Sequence, residues 1–191
     1  MGASKPIGVI QGAATPVVQD LIRQFVERLE PDVRVAGVIE DPAVADDGPC
    51  SAGDLRSLSD GRRFPVMQDL GPAAISCRLD AAGVVSACDA VLRGIDVGCD
   101  LVILSKFGKI EAERSGLAPA FASAMEAGLP ILTSVSPRFG EALDRFAAPL
   151  YVLLPPDLAA IETWWRSVRA QVGTPAGLQG APRALRSQAR H

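Results

Sequence analysis

Short, uninterrupted apolar runs alternate with helix-period segments along most of this chain, and no other feature limits its fold as strongly. The runs KPIGVIQG (5–12), VRVAGVI (33–39), LVIL (101–104), PILTSV (130–135) and YVLL (151–154) are rich in β-branched residues. Such runs suit strands buried on both faces of a parallel sheet. After the first, Thr15 is the predicted N-cap with Pro16 at the first helical position. Val17, Val18, Leu21, Ile22, Phe25, Val26 and Leu29 then recur at helical spacing until Pro31. A second helix is predicted over 80–95, capped by Asp80, with Val84, Val85, Cys88, Leu92 and Ile95 along one face. Further helices are predicted at about 119–127 and 138–147, and a last one from Pro156-Asp157 carries Leu158, Ile161, Trp164, Trp165 and Val168. Strands alternating with helices in this way predict an α/β fold with a mainly parallel sheet and helices on both faces.

One departure from the alternation is expected. Leu55 to Gln68 holds two extended pieces around Ser59-Asp60-Gly61, the turn chemistry of a β-hairpin, and Pro65 confines its second arm to the sheet edge. The acidic, Gly- and Pro-containing stretch 40–54 reads as a surface loop. After Val172 the composition turns to Gly, Pro, Ala, Gln and Arg without periodicity, so the expected organisation is a single domain over 1–172 and a disordered C-terminal tail over 173–191. A chain of 191 residues, 48% of them hydrophobic, suffices for one well-cored domain.

Charge and composition exclude several partners. A net charge of −3 with the two signs interspersed gives no basic stripe for a phosphate backbone, so no nucleic-acid partner is expected. No apolar run reaches the roughly 18 residues of a membrane span, and MGASKPIGVIQG lacks a signal-peptide core, which together predict a cytoplasmic protein with no membrane partner. Cys50, Cys77, Cys88 and Cys99 form no C-x-x-C pair and His191 is the sole histidine, so no structural zinc site is expected.

Function should gather at the strand ends, where open α/β sheets bind ligands. Gly12 to Gln19, GAATPVVQ, follows the first strand and compares with the phosphate-loop pattern G-x-x-x-x-G-K-[ST]. Gly12 matches the first glycine, while Val17, Val18 and Gln19 stand in place of the second glycine, the lysine and the magnesium-binding hydroxyl. What remains is a helix start whose amides at Ala14 and Thr15 suit an anion. The second strand end, Ser105-Lys106-Phe107-Gly108-Lys109 followed by Glu111, resembles the D-E-x-G-K-x-E segment of the small THEP-type nucleoside triphosphatases. On that pattern Gly108, Lys109 and Glu111 match, and Ser105 and Lys106 replace the acidic pair that would hold magnesium and orient water. The charge at this strand end is reversed in sign, which favours direct binding of an anion.

Gln68-Asp69-Leu70-Gly71, Cys77-Arg78-Leu79-Asp80, Lys106-Phe107-Gly108-Lys109 with Glu111, and the pair Trp164-Trp165 resemble a bacterial family of unknown function. Its members are described as nucleoside-triphosphatase-like and are linked in name to molybdenum transport. The resemblance implies a P-loop-NTPase-like fold and a molybdenum context, but no catalytic residue; the cofactor stays unknown.

The predicted ligand set is therefore Gly12, Ala14, Thr15, Gln68, Asp69, Cys77, Arg78, Lys106, Lys109 and Glu111. Lys106 and Lys109 would clamp an anionic ligand, with Glu111 fixing one ammonium. Gln68 and Asp69 end an extended segment and suit either ligand contact or a turn and helix cap. Cys77, beside Arg78 and ahead of a helix, sits where a thiolate is favoured, whereas Cys88 and Cys99 read as packing and Cys50 as incidental. Successive helical residues lie about 100° apart, so Trp164 and Trp165 are not expected to face inward together, and one of them is free to meet a second copy of the chain or the tail. Three functions fit: a degenerate P-loop-like protein binding a nucleotide or other anion without ordinary hydrolysis; an unconventional triphosphatase using Lys109 with Glu111 or Asp69; and a molybdate, oxyanion or soft-metal handling protein using Cys77.

Overall fold

The computed structural model describes residues 4–41, 53–68, 78–79 and 81–172. Strands β1 (Ile7–Ile10), β2 (Val35–Glu40), β7 (Leu101–Leu104), β8 (Ile131–Ser134) and β9 (Tyr151–Leu154) are parallel. The hairpin arms β3 (Leu55–Ser57) and β4 (Arg63–Phe64) add antiparallel at one edge, giving the order β4-β3-β2-β7-β8-β1-β9. The edge hairpin thus forms where its turn residues place it, with β4 outermost. Met67–Gln68 (β5) leaves the hairpin and pairs instead with Arg78–Leu79 (β6) as a separate two-stranded ribbon.

Side chains alternate across the central strands, so each strand feeds two cores. Val9, Val102 and Leu104 pack with helices α2 (Ala81–Val97), α4 (Ala118–Glu126) and α5 (Gly140–Ala147), whereas Ile10, Leu101 and Ile103 pack with α1 (Thr15–Glu27) and α6 (Leu158–Val172). A four-residue helix, α3 (Lys109–Ala112), follows β7, and a 3-10 turn over Pro137–Phe139 follows β8. The direction of winding changes at β1, which lies between β8 and β9 while its own crossover through α1 leads away to β2. Such a switch opens a crevice at the carboxyl ends of the strands.

Two local expectations are corrected. Thr15 is the first residue of α1 and Ala14 is its N-cap, with no side-chain capping bond, and the helix ends at Glu27, four residues before Pro31. Trp164 and Trp165 are both buried, each 5% exposed. Gly8 on β1 leaves room for the Trp164 ring, whose Nε1 donates to the carbonyl of Lys5 at 3.0 Å, and Trp165 is buried in the same core. With both rings inside, the indole argument for a second copy falls away. No helix among the described residues is long and apolar enough to cross a membrane.

A Cβ at Gly8 would lie 2.8 Å from the Trp164 ring and 3.0 Å from Leu154. Gly8→Val should therefore destabilise the fold by about 1–3 kcal/mol through overpacking. The urea midpoint measures this, and an unchanged midpoint would show that α6 is not seated tightly on β1.

Candidate functional site

The ends of β7, β8 and β1 run on side by side past the regular ladder. Phe107 bridges Val135 in parallel, its N–H donating to the Ser134 carbonyl at 2.7 Å, and the Val135 N–H donates to Ile10 at 3.0 Å. These ends frame a cavity of about 460 Å³. Ala14, Thr15, Glu40, Lys106, Lys109 and Arg138 are among its polar and helix-start lining, and Leu55, Val66, Val84 and Leu117 among its apolar lining. Of the predicted ligand set, Ala14, Thr15, Lys106, Lys109 and Glu111 are brought together here. Gly12 adjoins the lining without being part of it, and its φ of +110° turns the chain from β1 towards α1. Gln68 and Arg78 face each other as backbone partners in the β5–β6 ribbon, while Asp69, Cys77 and Cys50 lie outside the described residues.

The loop between β1 and α1 is short because the helix begins early. In a phosphate loop the chain reaches its lysine around the point where the helix opens. Here Thr15 is already helical, three residues ahead of Val18. Val18 and Gln19 both face inward at 3% exposure. Gln19 makes two bonds across the sheet end, its Nε2 donating to the Ser105 carbonyl at 2.7 Å and its Oε1 accepting from the Glu40 N–H at 2.8 Å. Ser134 Oγ donates to the same Ser105 carbonyl at 3.0 Å. The α1 amides at Thr15 and Val17 precede the first helical bond, which Val18 makes to Ala14.

The lysines are placed differently from each other. Lys106 Nζ lies 2.8 Å from Glu40 Oε2, so the reversed charge at the end of β7 is balanced by a carboxylate on β2. Lys109 is largely exposed, 4.0 Å from the equally exposed Glu113, a contact that solvent screens. Glu111 does not fix an ammonium. Its Oε2 accepts from the Gly108 N–H at 3.0 Å and its Oε1 from the Leu117 N–H at 3.2 Å, closing the turn around α3 from within. Gly116, at φ +62°, brings the chain so close to Glu111 Oε1 that a Cβ there would sit 2.7 Å away. A carboxylate enclosed in this way holds the backbone of the site in place.

Glu40 and Arg138 line the cavity without having been singled out in the sequence. Both follow an apolar run, and the strand-end rule applied to every strand would have found them. Asp41, next to Glu40, is buried and meets Arg56 Nε at 3.0 Å and Arg63 at 2.9 Å, fastening the hairpin to the end of β2. Cys88 and Cys99 are buried as expected, and burial pushes both thiols above their ordinary pKa.

A family model described as a protein of unknown function, DUF2478, matches residues 7–164. The chain belongs to this family. Among curated proteins, the molybdenum import ATP-binding protein ModC 2 of Bradyrhizobium diazoefficiens is 34% identical over 155 residues. That match covers 81% of this chain but 16% of ModC 2. The crystal structure of THEP1 from the hyperthermophile Aquifex aeolicus superposes with a TM-score of 0.56, covering 88% of this chain and 98% of THEP1 at 11% identity. The fold of this DUF2478 chain is thus P-loop-NTPase-like.

Glu111→Ala would strip an acceptor from two backbone amides, one of them in a buried bond. A loss of about 1–3 kcal/mol is expected, against about 0.5 kcal/mol or less for the exposed Glu113→Ala. Equal urea midpoints for the two variants would refute the backbone role of Glu111.

Proposed function

We propose that this protein binds a nucleotide in the crevice at the strand ends and does not turn it over by the ordinary magnesium route. The observation carrying this reading is the cavity: about 460 Å³, lined by the cations Lys106, Lys109 and Arg138 and the start of α1 together with the aliphatic Leu55, Val66, Val84 and Leu117. Small-molecule sites run from roughly 300 to 1,000 Å³ and combine apolar walls with a few polar groups. A bare tetrahedral oxyanion would leave the aliphatic lining without a partner; a nucleotide offers a ring system for the apolar residues and phosphates for the cations.

Gln19 supports the second half of the proposal. It stands where the phosphate-loop pattern has its metal-binding hydroxyl, and both ends of its amide are engaged by backbone. Val18 offers no ammonium in place of the lysine, and Ser105 and Lys106 offer no carboxylate. Binding would rest on Ala14 and Thr15 amides, Gly12 as the turn that presents them, and Lys109. Gln68, Asp69, Cys77 and Arg78 remain part of the proposal on sequence grounds; they lie in sequence between the edge hairpin and α2.

A molybdenum context is the second part of the reading, supported by the name of the Bradyrhizobium relative. The 16% of ModC 2 that this chain matches leaves its import activity with the whole of that protein. A molybdate site in this chain is the competing reading.

A thermal-shift series with ATP, ADP and molybdate, with and without magnesium, separates these. A ligand at a hundred times its dissociation constant adds about 2.7 kcal/mol of stability. Nucleotides should raise the melting temperature without needing magnesium, and molybdate alone should not. Magnesium-dependent phosphate release that disappears in Lys109→Ala would overturn the non-hydrolytic reading, and a shift with molybdate alone would favour oxyanion handling.

A further inference from the structure

Arg138 is exposed at the cavity mouth, in the 3-10 turn that follows β8. Its guanidinium lies 4.7 Å from the centre of the Phe139 ring, which also lines the cavity. Among the described residues it makes no ion pair. Lys106, by contrast, is held at 2.8 Å by Glu40. The mouth therefore carries two cations that no tight ion pair holds: Arg138, and Lys109 with only its solvent-screened contact to Glu113 at 4.0 Å. The Phe107–Val135 bridge keeps the two chain ends adjacent, so Lys109 follows the bridge by two residues on one and Arg138 by three on the other.

We infer that Arg138 and Lys109 form the clamp for the ligand's anionic head, and that the group they hold is a polyphosphate. The inference rests on the nucleotide reading and assigns its phosphate subsite. A guanidinium presents a planar fork that meets two phosphate oxygens at once, and a ring face beneath it fixes that plane before the ligand arrives. Lys109 adds a mobile point charge beside it. Ala14 and Thr15 at the start of α1 line the same cavity, so an extended chain of phosphates can engage them and the two cations together, which a single phosphate would not. Lys106, neutralised by Glu40, contributes little net field; removing Lys106 alone would expose the Glu40 carboxylate to the ligand.

Calorimetric titration of the full chain with ATP and with inorganic tripolyphosphate tests the clamp. Arg138→Gln should weaken both ligands by roughly tenfold or more, the loss of a charge-assisted contact. Arg138→Lys should recover part of the loss. Glu40→Gln/Lys106→Gln removes the ion pair without changing net charge and should cost less than Arg138→Gln. Because Arg138 is exposed, Arg138→Gln without ligand should melt with the wild type, which separates binding from folding. If Arg138→Gln binds ATP as tightly as the wild type, the clamp is overturned while the nucleotide reading stands. If the wild type takes up neither ligand, both fall. If tripolyphosphate binds through Arg138 and ATP does not bind, the nucleotide reading falls and the clamp survives.

Discussion

The buried amide of Gln19 is the contact on which the geometry of the strand ends depends. The β2–β7 ladder runs out at Val38 and Leu104, leaving the Glu40 N–H and the Ser105 carbonyl as the next groups to be satisfied. Gln19 takes both, and Ser134 Oγ joins it on Ser105. One side chain thereby closes the ladder, anchors the first turn and a half of α1 against it, and fixes where the chains after β2 and β7 diverge. Without it, the Glu40 N–H would lose its partner, at a cost of about 1–3 kcal/mol, and the Ser105 carbonyl would keep only Ser134 Oγ.

The same glutamine explains how the chain keeps the strand arrangement of a nucleotide-binding fold while presenting different chemistry at its first loop. An early helix start brings Gln19 to the sheet end and turns Val18 into the core at 3% exposure. A lysine in place of Val18 would have to bury its ammonium or displace the helix start. Residue and backbone therefore agree: the short loop suits valine and glutamine, and a lysine-bearing loop would need α1 to open later. The fold superposes on THEP1 over 88% of the chain at 11% identity.

Much of this was legible in sequence because strands buried on both faces need uninterrupted apolar runs. Leu101–Leu104 was bounded correctly for that reason; Tyr151–Leu154 was bounded correctly too, although it is an edge strand with Leu153 exposed, and Gly61 with Pro65 marked the edge hairpin. Errors arose where a distant residue decided the outcome. Thr15 has the chemistry of a cap, yet the helix starts one residue sooner because Gln19 must reach Ser105, a contact 86 positions away in sequence. The two indoles look incompatible on a helical wheel until Gly8, far off on β1, makes room for one of them. The β5–β6 ribbon has two residues per strand, too few for any periodicity.

The site was legible by position and misread in its electrostatics, and the difference is instructive. A strand end read alone gives the sign of its own side chains, so Ser105-Lys106 in place of two acids implied a reversed field. In a parallel sheet the ends of neighbouring strands share one surface, and Glu40 at the end of β2 lies 2.8 Å from Lys106. An acid on the adjacent strand pairs with the lysine. Glu111 was likewise matched by position, but its two oxygens meet amides on either side of α3, and it shapes the loop that carries Lys109. Net charge at such a site is therefore a property of the sheet order, and the order β2-β7-β8-β1 has to be known before any one lysine can be given a ligand.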